Sequence, residues 1–323
     1  MLSLPKDWVA AHRLEKGGYV VLEVQEGCIV VEPEELISER REFVIRSGGM
    51  GMDELGRRII AAYLAGYSVI RIEFDRGSIR LKEGAKELLN FLIAVEVTKD
   101  LGYEVTAQVL LDHAKLPVLK VVERLCGVVE GMLSDLRRGI ATGDSELLVH
   151  VAEREREADR LYFLAVRQLK SAAMSQVAAR QVGIEHRRDV LGIRLIVKSL
   201  ERIADHVESI SRKLLSLDTS HTGVLLEMCD PVIEMYLKAK DATLRFNAEL
   251  AEEVFRALPE VEESLRGAER EVLTSGVEME EAVKLRLCLE SCYRIARYCC
   301  DMGEIVINMH AEVPERSPSG ASR

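Results

Sequence analysis

The chain has 323 residues and a formal net charge of −10, which argues against a nucleic-acid binder over its whole length, because phosphate neutralisation takes clustered Lys and Arg. Hydrophobic residues make up 48% and aromatics only 5%, so the cores are expected to be built from Leu, Ile, Val and Ala, as in helical bundles. The longest apolar run, Leu88 to Val95, is far short of the ~20 residues of a membrane span, and the N-terminus lacks the features of a secretory signal, so a soluble cytoplasmic protein is expected.

Residues 1–37 read as a β-rich unit. A short helix enters through Pro5, a residue tolerated at helix starts. Two β-branched runs then flank Gln25-Glu26-Gly27, a hairpin signal. Residues 38–112 read as a small α/β unit of order β-α-β-α-β. Its strands are expected at Glu42–Ser47, Ser68–Phe74 and Gly102–Asp112. Its first helix carries Leu55, Ile59, Ile60 and Leu64 at helical spacing and stops at Gly66. Its second is expected to run from Leu81 to Asp100.

From about Leu116 to His310 the pattern is helical almost throughout. Breaks are expected at 141–145, 181–186, 217–223, 258–260 and 273–279. They leave six helices in two groups of three, at about 116–215 and 224–311. The third helix of each group carries a near-repeat: Arg202-Ile203-Ala204 returns as Arg294-Ile295-Ala296. Two related three-helix bundles follow, because each amphipathic helix must bury its stripe against neighbours. The Pro/Ser/Gly-rich tail, 312–323, lacks apolar periodicity and is expected to be disordered.

Positions i and i+4 share one helix face. Glu201 and Asp205 therefore point the same way, and Glu155 and Asp159 form a second such pair on the preceding helix. Spacing alone leaves two readings open. One is a solvated acidic face, with Arg154, Arg156, Arg160 and Arg202 as ion-pair partners. The other is a cation site with oxygen ligands. Di-iron chemistry of the Glu-x-x-His type is not expected, since no histidine has a Glu three residues before it. Neither a Walker loop nor a G-x-S-x-G elbow is present. The seven cysteines lack C-x-x-C spacing and read as buried thiols of a reducing compartment. The alternative is a thiolate site at Cys288 and Cys292, one turn apart.

The stretches "EREADRLYFLAVRQL" and "KSLERIADHVESI", on successive helices of a double bundle, resemble the PhoU family of phosphate-signalling proteins. "SLPKDWVAAHRLEKGGYVVLEVQEGCIVVEP" resembles the AbrB/SpoVT swapped-hairpin DNA-binding domain. The middle segment is similar to that of archaeal PhoU-like regulators joining these two parts. The resemblance implies a mainly α fold: two PhoU-like bundles at 113–217 and 218–311, an AbrB-like hairpin at 1–37 and an α/β segment at 38–112. It implies a non-enzymatic regulator of phosphate uptake that contacts components of a phosphate ABC transporter or sensor, as a homodimer and not embedded in the membrane. The family's acid-x-x-x-Asp pairs match Glu155/Asp159 and Glu201/Asp205, with Fe, Zn or Mg as the implied metal.

The second repeat departs from this pattern. Tyr293 and Arg297 stand at its acid positions, so at most one metal site is expected. AbrB-type domains usually open with a basic strand ahead of this motif; here Met1 stands almost on it, so that strand is expected either to be absent or to lie upstream of Met1. Lys6, Arg13 and Lys16 are the candidate DNA contacts, set against seven acidic residues in 1–37. Two further functions are weighed: an AbrB-type transcription regulator whose bundles dimerise or sense, and a metal-binding helical bundle.

Overall fold

A computed structural model describes residues 3–25, 27–33, 41–111, 116–217 and 222–311. The expected junctions at 37/38 and 112/113 and the tail at 312–323 lie outside these residues. The described residues hold ten helices and six strands, a mainly α fold as expected. Among them, no helix is long and apolar enough to cross a membrane. They group into two units, drawn from 1–118 with 163–190, and from 119–162 with 191–323.

The first unit opens with helix α1 (Lys6–Ala11), entered through Pro5, whose φ of −60° suits a helix start. Strands β1 (Val20–Gln25) and β2 (Cys28–Pro33) pair antiparallel about Gly27, which takes φ +94°. This is the expected hairpin. Next come β3 (Glu42–Arg46), α2 (Met52–Leu64), β4 (Val69–Glu73), α3 (Ile79–Phe91), β5 (Val95–Leu101) and β6 (Glu104–Val109). The sheet order is β3-β4-β6-β5, with β3 parallel to β4 and the other pairs antiparallel. Alternate residues of β4 and β6, including Ile70, Ile72, Val105 and Ala107, are buried with Leu55, Ile59 and Leu89 of the two helices. Gly66, at φ +88°, ends α2 as expected.

One expectation fails here. The helix expected over Leu81–Asp100 ends at Phe91, and Val95 onward is a strand. Val95, Glu96 and Val97 alternate between half-buried and exposed, the signature of a half-buried strand. Pairing with β6 satisfies the inner row of backbone groups of β5, the edge strand of the sheet, so long-range pairing outweighs local helix propensity. The unit is therefore β-α-β-α-β-β.

The helical part comprises α4 (Val118–Thr142), α5 (Ser145–Met174), α6 (Gln176–Gln181), α7 (Asp189–Leu214), α8 (Gly223–Arg245), α9 (Ala248–Thr274) and α10 (Met279–Ala311). The first unit takes α5 from Phe163 onward together with α6. There Arg167, only 6% exposed, donates to the backbone oxygens of Tyr63 and Gly66 at the end of α2. Glu32 of β2 accepts hydrogen bonds from Ser175 Oγ (2.7 Å) and the amides of Val177 (3.1 Å) and Gln176 (3.2 Å), at the start of α6.

The second unit contains the second repeat and, of the first, α4, α5 up to Tyr162 and α7 from Leu191. Arg154 of α5 lies over Gly131 of α4 and pairs with Asp135 at 3.2 Å. Helices α8, α9 and α10 pack on one another. The repeats meet through α4 and α8, where Tyr236 Oη donates to Cys126 O (2.6 Å) and Lys240 pairs with Glu130 (3.0 Å). They also meet through α7 and α10, where Met309 packs against Gly192.

The break expected at 258–260 does not occur: Pro259 lies inside α9. The chain turns instead at Phe246, in the left-handed region at φ +47°, and Asn247 caps α9 by accepting from the amide of Leu250 at 2.9 Å. An interior proline costs about 3 kcal/mol. Here Val254, Val261, Ala268 and Val272 continue one buried stripe across it, and that burial outweighs the missing hydrogen bond.

Candidate metal centre

The second unit brings together two acidic rows from separate helices. On α5 the buried stripe of Val151, Ala158 and Leu161 leaves Glu155 and Asp159 half-buried at its flank. On α7 the stripe of Leu200, Ile203 and Val207 does the same for Glu201 and Asp205. One oxygen from each of Glu155, Asp159 and Asp205 lies within 4.8 Å of the others. Ligands of a cation at 2.0–2.6 Å stand at most ~5 Å apart, so this spacing matches a coordination shell.

The electrostatics fit the same use. Burial pushes the Glu155 carboxyl up to about 7, with Asp159, Asp205 and Glu208 adding to the rise. Asp159 is raised by burial and by Glu201. Asp205 rises to about 6 through burial, Glu201 and Asp159, with Lys198 and Arg202 offsetting part of it. Three acids thus face one another without enough positive charge to keep all of them ionised. A hard cation would supply that charge, and an all-oxygen donor set suits Mg, Mn or Fe better than a soft metal.

Glu201, the fourth expected ligand, stands outside this triad. Its side chain is 13% exposed and is held by Lys198, whose Nζ lies 2.6 Å from Oε1 and also donates to Oε2. Arg202 pairs with Asp205 at 3.5 Å. Glu208 pairs with Arg212. Sequence reasoning missed Lys198, although its place three residues before Glu201 on one helix face was a readable signal.

The second repeat is built differently. Tyr293 donates to Glu262 of α9 at 3.4 Å, and Arg297 is exposed. A tyrosine–carboxylate contact thus occupies the place of the acid pair. Among the described residues the seven cysteines form no disulfide; Cys28 is exposed and the other six are buried. The neighbouring Cys229 and burial push the Cys292 thiol well above its usual value, and burial pushes the Cys126 and Cys288 thiols up to about 12. Lys6, Arg13 and Lys16 are all exposed, Lys6 on α1 and the others just beyond it.

The family profile described as PhoU domain matches the chain twice, at 122–214 and at 225–306, together more than half of its length. The chain belongs to the PhoU family. The two PhoU matches coincide with the two repeats, and the acidic triad lies in the first. Among curated relatives, a phosphate-specific transport system accessory protein PhoU homolog of Pseudomonas putida is 27% identical over 196 residues, covering 56% of this chain and 73% of that one. The phosphate-specific transport system accessory protein PhoU of Escherichia coli is 26% identical over 188 residues, covering 56% and 76%. The crystal structure of PhoU from Pseudomonas aeruginosa aligns with a TM-score of 0.53 at 23% identity, over 61% of this chain and 96% of that one. The regulatory protein PhoU from Streptococcus pneumoniae aligns equally well, at 0.53 with 14% identity, over 61% and 94%. At these identities the structures establish the shared PhoU fold.

Proposed function

We infer that this chain regulates phosphate uptake and intracellular phosphate homeostasis, as a cytoplasmic accessory to a phosphate transport system rather than as an enzyme. The single observation that carries this reading is the double PhoU match over both bundles, and the names of the curated relatives support it. The partners it calls for are components of a phosphate ABC transporter or its sensor. Co-purification with the transporter ATPase, with and without phosphate and divalent cation, tests it. Retention that depends on either is expected, and no retention under any condition would overturn it.

The same reading gives the first repeat a cation, Fe, Zn or Mg, held by Glu155, Asp159 and Asp205. Bound there, the cation neutralises the triad and ties α5 to α7. Metal analysis of the wild type against Glu155→Gln/Asp159→Asn tests this, and equal metal content in both would remove the site.

A second reading concerns the N-terminal segment. Its helix-then-hairpin order is consistent with an AbrB-like module that contacts DNA through Lys6, Arg13 and Lys16 in a homodimer. A promoter-shift assay across a salt series tests that reading. Absence of salt-dependent retardation counts against it.

A further inference from the structure

Lys198 stands at a crossing of two features. On one side it grips Glu201 through both carboxylate oxygens, and its charge also acts on Asp159 and Asp205. It is thus a cation sensed by three of the four acids; Arg202 also stands 3.9 Å from Glu201 and 3.5 Å from Asp205. On the other side it lines a groove of about 550 Å³ between α7 and α10, with Leu195, Arg202, Tyr298, Asp301 and Glu304. The far wall of that groove is acidic. Burial raises the Asp301 carboxyl, Arg297 offsets part of the rise, and Glu304 adds to it.

An exposed ion pair three residues apart on a helix is normally worth little. This pair differs, because the Glu201 side chain is 13% exposed and that of Lys198 33%. A carboxylate this buried must keep a positive partner. Lysine suits a replaceable partner, since its ammonium is a point charge on a flexible stem. Tyr162 gives the ammonium a resting surface, with Nζ 5.1 Å from the ring centroid. A divalent cation among Glu155, Asp159 and Asp205 would repel Lys198 and attract Glu201, and the groove offers the displaced ammonium two other acids.

We propose that Lys198 is a tethered competitor of the bound cation: it withholds Glu201 from the triad until a divalent cation drives it across the groove to Asp301 and Glu304. The inference rests on the cation reading above and concerns its regulation. Cation binding in the first repeat then creates an ion pair to α10 of the second, so that one event is felt by both repeats.

The test uses the full chain, stripped with chelator, and Mn²⁺ as the probe. Calorimetry is expected to show Lys198→Met binding Mn²⁺ at least about tenfold more tightly than wild type, as removal of a competing charge at contact distance requires. Asp301→Asn/Glu304→Gln is expected to bind at least about threefold more weakly, because Lys198 has lost its second seat. Mn²⁺ is expected to slow amide exchange around Asp301–Ile305 in wild type and not in Lys198→Met. Lys198→Gln serves as a second variant if the methionine form misfolds by circular dichroism. Unchanged or weaker Mn²⁺ binding by the Lys198 variants, or equal protection of α10 with and without Lys198, overturns the proposal. If neither wild type nor the Lys198 variants bind Mn²⁺, the cation reading falls with it. If Glu155→Gln/Asp159→Asn abolishes Mn²⁺ binding while Lys198→Met changes nothing, only the present inference falls.

Discussion

A carboxylate oxygen of Glu155 lies within 4.8 Å of one of Asp159, one turn further along α5. Two half-buried carboxylates this close disfavour each other's ionisation. Glu155 therefore keeps its proton to a higher pH than it would in the unfolded chain. Both acids lie on the side of α5 facing Asp205, so a proton and a metal are alternative occupants of one place.

The pH dependence follows from the sign of that shift. An acid raised on folding binds more protons in the folded state, so stability falls as pH rises between the unfolded and folded values. For Glu155 that window runs from 4.5 to about 7. In chelator, the melting temperature is expected to drop by a few degrees between pH 5 and pH 8. Glu155→Gln should flatten this slope, and added Mn²⁺ should restore the wild-type stability at pH 8. Scanning calorimetry across the pH series checks it. A slope unchanged by Glu155→Gln would show that the triad is not its source.

Glu32 makes an opposite prediction in the first unit. Burial alone would raise its carboxyl, but Ser175, the amides of Val177 and Gln176, and Arg187 outweigh burial and hold it below the usual value. Glu32→Ala should cost about 1 kcal/mol, the scale of a lost helix cap. Amide exchange should quicken at Gln176–Ala178 and along β2. Mn²⁺ affinity should stay at the wild-type value, because the triad belongs to the other unit.

Arg167 is buried against the ring of Tyr63, its guanidinium carbon 5.0 Å from the centroid, and donates to two carbonyls at the end of α2. The Tyr63 carbonyl lies in the last turn of α2, at the negative end of the helix dipole. Arg167→Ala removes a donor from both carbonyls, with Tyr63 O still accepting from the Gly66 amide at 3.1 Å, and opens a void, at about 2–4 kcal/mol. Arg167→Lys should recover only part, since an ammonium lacks the planar fork. Urea titration of both variants reads the difference directly.

Pro259 should be a stabilising site to change. It is exposed inside α9, and its ring leaves the carbonyl of Phe255 without the amide a helix normally provides. Pro259→Ala should raise stability by about 1–2 kcal/mol, after allowance for a more flexible unfolded chain. An unchanged melting temperature would mean that the helix is bent to suit the proline.

Features set by short-range pattern were legible in advance. The hairpin at Val20–Pro33 needs only two β-branched runs and a turn at Gly27. The acid pairs on α5 and α7 need only i, i+4 spacing on amphipathic helices, and the recurrence of Arg-Ile-Ala marked the duplication. Where local signals competed with distant partners, the distant partner decided. Val95–Leu101 carries enough helical pattern to extend α3, yet a strand 3 to 14 residues further on claims its backbone. Pro259 is a strong local stop, yet a common buried stripe carries α9 through it.

The sequence by itself determined that two related helical bundles follow a β-rich start, and which acids share a helix face, because both depend on periodicity within a single element. Only the tertiary structure decided which acids meet. Helices α5 and α7 approach so that Asp205 joins Glu155 and Asp159, while Lys198, on the same helix as Glu201, draws that carboxylate aside. Spacing along a chain cannot rank a lysine three residues away against an aspartate on another helix. Burial and distance in the packed structure can, because the strength of each attraction depends on how much water remains around it.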